Sequence, residues 1–149
     1  LLEPLRRFGL VTDGEERSVL NMMLERAHLP PDTAERLPHQ LSGGQLQRAV
    51  MIRALFVRPS LLLFDEPTSA LDVVTQAALL DFIRELHSEY GFTGLFVTHD
   101  LAVVQKMTTR VLVMEHGEIV EELPSTALRE AVHPFTRRLI AAQLPHDCT

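Results

Sequence analysis

Cysteine, lysine, tyrosine and tryptophan are nearly missing from this sequence. In 149 residues Cys148 is the only cysteine, Lys106 the only lysine and Tyr90 the only tyrosine, and there is no tryptophan. A single cysteine excludes an internal disulfide framework and a cysteine-built zinc or iron–sulfur site. One tyrosine and no tryptophan leave little of those two residues on which to stack bases. With 14 Lys+Arg against 20 Asp+Glu, the net charge of -6 argues against an electrostatic footprint for nucleic acid or anionic lipid. Long hydrophobic runs are lacking too: Leu61-Leu62-Leu63-Phe64 is far short of the roughly 20 residues of a membrane span. Arg6 and Arg7 are not followed by a long apolar stretch, so no secretory signal is expected. Seven histidines are scattered without paired ligand spacing, and His146 near Cys148, at a terminus, makes a poor metal site. What remains, 46% hydrophobic and 23% charged, is the composition of a folded chain with length enough for one domain.

Along the chain, residues 1–14 read as a short amphipathic piece interrupted by Pro4, Gly9 and Gly14. Val19, Leu20, Met23, Leu24 and Ala27 recur at helical spacing, and Pro30-Pro31 stops that helix. Ser42 is a good N-cap for a helix reaching to about Val57. Leu61–Phe64 and Leu95-Phe96-Val97 are expected to be buried strands. Between them Leu79, Phe82, Ile83 and Leu86 mark one face of a helix ending near Ser88. Asp100 caps a short helix through Met107, and Val111–Met114 with Glu118–Val120 form a strand pair split at His116-Gly117. Two small helices follow, with Pro124 and Pro134 near their starts. Alternating strands and helices predict an α/β layer around a parallel sheet, with no repeat, low-complexity tract or linker.

The residues that carry chemistry stand at element ends. In Leu41-Ser42-Gly43-Gly44-Gln45, continued by Gln47-Arg48, a serine and two glycines open a helix. The unpaired N–H groups and the helix dipole at such a start suit a phosphate oxygen, and Ser42 and Gln45 also satisfy a capping box. Glycine would weaken a plain first turn, which tips the reading modestly toward anion binding. Leu61–Phe64 then runs into Asp65-Glu66-Pro67, placing two carboxylates at a strand's carboxyl end, where α/β folds bind ligands. Asp65 suits Mg²⁺, directly or through water, and Glu66 suits an attacking water. An acidic turn after a strand is the plainer alternative. Asp72 in Ser69-Ala70-Leu71-Asp72 reads by itself as an N-cap. His99 in Thr98-His99-Asp100 ends the second strand, where a lone histidine is more often structural but is also placed to donate to a phosphate oxygen.

The order of these four segments resembles the consecutive motif set of an ABC-type ATPase: signature motif, Walker B, D-loop and switch histidine. The likeness runs from about residue 1 to 145. Glu3-Pro4-Leu5, Pro38-His39-Gln40 and His133-Pro134-Phe135-Thr136-Arg137 resemble the oligopeptide, dipeptide and nickel importer branch. The resemblance implies a partial RecA-like P-loop NTPase core, α/β with a parallel sheet flanked by helices, plus part of the ABC helical subdomain. It implies a helical-subdomain remnant and signature helix over about 1–58, a Walker B to switch-histidine core over about 59–122, and C-terminal helices over about 123–149. Ser42 and Gly44 would contact the γ-phosphate of ATP held by an opposite subunit, Gly43 and Gln45 would belong to the same nucleotide-binding turn, and Asp72 would bridge the two subunits. Asp65 would support Mg²⁺, Glu66 would act on the hydrolytic water and His99 would sense the γ-phosphate. Implied partners are transmembrane permease subunits, a second nucleotide-binding subunit in a head-to-tail dimer and, indirectly, a solute-binding protein, with no nucleic acid. The implied location is the cytoplasmic face of the inner membrane.

The family pattern is incomplete here. Its phosphate loop, GxxxxGK[ST], does not occur. The only GxxxxG runs from Gly9 to Gly14 and is followed by Glu15-Glu16, whose charge repels phosphate, while Lys106 precedes Met107. No glutamine loop is identifiable, and Thr109 stands where the family often has Asp. With Leu1 rather than Met at its start, the sequence is expected to be the C-terminal part of a longer domain, inactive by itself. Two other readings share its motifs: an ABC-type ATPase of DNA maintenance, and a truncated, non-catalytic dimerisation module. Acidic charge and the absence of a heptad run count against the first.

Overall fold

A computed structural model describes residues 1–12 and 14–143. Asp13 of the GxxxxG run, His146 and Cys148 lie outside the described residues. The chain divides into two compact units, Leu1–Leu95 and Phe96–Thr149, with no linker between them and the boundary within a strand. No helix among the described residues is long and apolar enough to cross a membrane.

The first unit opens with α1, Glu3–Arg7, where sequence reading gives only an interrupted amphipathic piece. Pro4 sits in its first turn, where the lost N–H costs nothing, and so starts the helix rather than breaking it. The spacing at 19–27 yields α2, Glu16–Arg26, whose Leu20, Met23 and Leu24 are buried. Two 3₁₀ turns, Pro31–Glu35 and Pro38–Gln40, lead to α3, Gly43–Leu55, capped by Ser42. After Pro59 comes β1, Leu61–Asp65. Then α4, Val73–Tyr90, is capped by Asp72 and closed by Gly91, whose φ of 67° is the left-handed C-cap conformation that glycine adopts without strain. Leu79, Leu80, Phe82, Ile83 and Leu86 form its buried stripe, and the helix runs two residues past the expected stop.

β2, Thr93–Val97, pairs with β1 in a two-stranded parallel sheet, and Thr93 N–H donates to Ser60 O at 2.8 Å. Both strands form where expected, but they are not buried strands. Leu61 is 57% exposed, Leu63 64%, Leu95 49% and Val97 49%, whereas Phe64 is 7% exposed. Side chains alternate across a strand, so one face of this sheet is packed and the other is apolar but open. Phe64 contacts Phe92, with ring centroids 6.3 Å apart, and Phe92 meets His87 of α4 edge-on at 5.4 Å. Those contacts anchor the packed face to the end of α4.

In the second unit Asp100 caps α5, Leu101–Met107. An antiparallel hairpin follows, β3 Arg110–Glu115 and β4 Glu118–Pro124, turning at His116 and Gly117, with a register shift between Val113 and Met114. A 3₁₀ turn, Ser125–Glu130, and α6, Pro134–Gln143, complete it. Val104, Val111, Val113, Leu123 and Leu128 make the core of this unit, with Phe135, Leu139 and Ile140 packed against it.

Candidate functional site

Three of the four motif segments singled out by sequence lie in the first unit. Ser42 is exposed at the mouth of α3 with an extended ψ of 159°. The Gln45 N–H donates to Ser42 Oγ at 3.3 Å, and the Ser42 N–H donates to Gln45 Oε1 at 3.0 Å. The capping box is therefore formed. It uses Ser42 Oγ as an acceptor, and the hydroxyl hydrogen is a separate donor able to face an anion. Capping and anion recognition are compatible at this residue.

The two glycines have a packing reason as well. Neither Gly43 nor Gly44 adopts a positive φ, so backbone conformation does not require glycine here. A Cβ on Gly44 would lie 2.5 Å from Thr75 Cγ2 in the first turn of α4, and one on Gly43 would lie 3.2 Å from Leu71 Cδ2. Gly44 is buried while Gly43 stays exposed. The α3 start is thus pressed onto the segment 71–75.

That segment is itself tightly organised. Asp72 caps α4 by accepting from the Thr75 N–H at 3.0 Å and from Thr75 Oγ1 at 2.6 Å. The Thr75 hydroxyl, and then its N–H, holds the Asp72 carboxyl below its ordinary range. Upstream, the turn after β1 is closed by Ser69, whose N–H and hydroxyl donate to Glu66 O at 3.3 and 3.1 Å, and by Leu71 N–H to Thr68 O at 3.1 Å. Thr68 is 5% exposed, so the turn has a buried anchor.

Asp65 ends β1 exposed, and Glu66 follows half-buried with φ 45°. A non-glycine residue in the left-handed region carries strain of about 1 kcal/mol, and such residues cluster where a side chain must be aimed. Here the strain falls on the carboxylate that sequence reading assigns to water. No group of three or more His, Cys, Asp or Glu side chains able to hold a metal occurs among the described residues. One exposed carboxylate at a strand end fits an ion such as Mg²⁺, which takes one or two carboxylates and completes its shell with water and phosphate.

His99 belongs to the second unit, exposed between the end of β2 and α5. Beside it Asp100 accepts from Ala102 N–H at 2.8 Å and Val103 N–H at 3.3 Å, and Thr98 Oγ1 accepts from Asp100 N–H at 3.1 Å. The residues flanking His99 are therefore fixed by the α5 cap.

The roles of two residues escaped sequence reading. Thr75 is one; the Asp-x-x-Thr spacing after Asp72 was its only signal. Arg48 is the other: its Nη1 donates to Ala27 O at the end of α2 at 3.2 Å, and its guanidinium lies 5.8 Å from the Phe82 ring of α4. It joins three helices around α3, which its place in Gln47-Arg48 did not disclose.

The profile of the family described as ABC transporter matches residues 6–69. The chain is 45% identical over 143 residues to the nickel import ATP-binding protein NikE of Brucella abortus (strain 2308), covering 96% of this chain and 54% of that protein. It is 42% identical to the glutathione import ATP-binding protein GsiA of Escherichia coli O6:H1, covering 95% of this chain and 23% of that protein. Among solved structures, the dimeric post-hydrolysis state of the ATP-binding cassette MJ0796 bound to ADP and Pi superposes with a TM-score of 0.66 at 35% identity, covering 77% of this chain and 49% of that one. The chain spans about half the length of the nickel-import relatives it matches.

Proposed function

We propose that this chain is part of an ABC transporter ATP-binding subunit and carries the later part of an importer's ATP-hydrolysing domain, a reading supported by its match to that family over residues 6–69 and its 45% identity to a nickel import ATP-binding protein. The observation that carries the proposal is the ordered pair of sites in one unit: a capped, glycine-bearing α3 start at Ser42, and a strained carboxylate, Glu66, at the end of β1. The first suits binding of a phosphate and the second suits activation of water.

In this reading Ser42 donates its hydroxyl to the γ-phosphate of ATP held by the opposite subunit of a head-to-tail dimer, and the Gly43, Gly44 and Gln45 turn lines the same contact. Glu66 orients the attacking water and takes its proton. Asp65 holds Mg²⁺, directly or through water; the ion when bound offsets phosphate charge and the repulsion between Asp65 and Glu66. Asp72 bridges the subunits, and His99 donates to the γ-phosphate and reports its presence. Residues 1–58, 59–122 and 123–149 serve as helical-subdomain remnant with signature helix, hydrolytic core and C-terminal helices. The partners are transmembrane permease subunits at the cytoplasmic face of the inner membrane, a second ATP-binding subunit and, indirectly, a solute-binding protein. The cargo is a peptide or a nickel-like solute, consistent with relatives named for nickel and glutathione import.

Without GxxxxGK[ST], residues 1–149 alone do not turn over ATP. In a complete subunit carrying these residues, Glu66→Gln lowers turnover by at least about 100-fold with ATP binding retained. Turnover unchanged by that substitution would overturn the role of Glu66, and saturable turnover by the purified chain would overturn its inactivity. Recovery of transmembrane subunits, rather than DNA, with the complete subunit supports the importer reading.

A further inference from the structure

We propose that Thr75 is a positioning residue that locks the Ser42–Gln45 turn to the Asp72 loop, so that these two segments move as one body. Thr75 is β-branched, and a helix leaves such a side chain few χ1 choices. Its hydroxyl is committed to Asp72 Oδ2 at 2.6 Å, which selects the rotamer. That rotamer aims Cγ2 at Gly44, where a Cβ would lie only 2.5 Å away. The atom that would have to yield is thus not the loose end of a long side chain but a methyl held by a hydrogen bond to a capping carboxylate. Leu71, one residue before Asp72, also lies over Gly43, but its flexible Cδ2 is 3.2 Å from where a Cβ would stand, a looser restraint than Thr75 puts on Gly44. Gly44 has no positive φ, so Thr75 is what demands glycine at this position.

The functional consequence rests on the proposed function. If the Ser42 turn faces nucleotide and Asp72 bridges subunits, the Thr75 lock passes movement at one contact to the other. The lock itself needs no nucleotide, so the test below reads it in the chain as it stands, and a failure of the ATPase reading would leave the result untouched.

The test is a double-mutant cycle read by amide hydrogen exchange and thermal unfolding. Alanine is intrinsically the better helix former, so an unobstructed Gly44→Ala would stabilise α3. Against Thr75 it is expected to destabilise instead, speeding exchange of the Gln45 amide at least about 10-fold and lowering the unfolding midpoint. With Thr75→Ser, which keeps the hydroxyl and removes Cγ2, Gly44→Ala is expected to become neutral or stabilising. Equal damage in both backgrounds, or stabilisation in both, overturns the proposal. A second arm covers the case in which Gly44→Ala fails to fold. Asp72→Asn is expected to shift the Gly43, Gly44 and Gln45 amide resonances when Thr75 is present and to leave them in place in Thr75→Val. The same shifts with Thr75→Val overturn the lock.

Discussion

Ser42 and Asp72 are both exposed oxygen-bearing residues set one position before a helix, yet their surroundings differ. Ser42 is neutral and exchanges bonds with Gln45, whereas Asp72 is charged and shares Thr75 with Gly44. Ser42→Ala removes a cap acceptor and is expected to cost about 1 kcal/mol in chemical unfolding. Asp72 titrates below its ordinary value because the Thr75 hydroxyl, and after it the Thr75 N–H, favours the carboxylate. Its contribution is present above the unfolded pKa and is lost as pH falls through the lowered folded value. Carboxyl resonances followed from neutral pH into acid are expected to place Asp72 below the ordinary aspartate value. Thr75→Val is expected to move it back up. The caps were legible because they depend on neighbours three residues away. Thr75's second contact was not, because Gly44 lies 31 residues earlier and only folding brings them together.

At the scale of elements, periodicity located α2 and α4, because each repeats its burial pattern within one segment, and the His116-Gly117 break located the β3–β4 hairpin. It misjudged how deeply β1 and β2 are covered. An unbroken run such as Leu61–Phe64 has the composition of a strand packed on both faces, but composition does not say what lies on either side. Two aliphatic side chains of the first unit make the difference measurable. Ile83 on α4 is 1% exposed, and Leu63 on β1 is 64% exposed. Ile83→Ala is expected to cost roughly 2–5 kcal/mol, and Leu63→Ala to stay within about 0.5 kcal/mol, both by denaturant titration of the chain. Similar large losses at both positions would show that the open face is covered in solution. Arg48 also belongs at this scale, since its contacts run to the end of α2 and the side of α4, and no local pattern encodes them.

For the whole molecule, the acidic balance and the shortage of tyrosine and tryptophan carry a prediction of their own. A labelled DNA duplex at physiological salt is expected to bind no more tightly than about 10⁻⁴ M, by fluorescence anisotropy; tight, salt-sensitive binding would favour the DNA-maintenance reading. Composition, the order of the four motifs, the caps at Ser42, Asp72 and Asp100, and the strand and helix positions are properties of the chain read in one dimension. They depend on residue type and on spacings of a few positions. Tertiary structure alone decided that Gly44 is shaped by Thr75, that Arg48 joins three helices, that Glu66 holds a left-handed backbone, and that the β1–β2 pair is packed on one face only. Each of these turns on which distant atoms meet, and steric fit and burial are set by such meetings rather than by sequence neighbours.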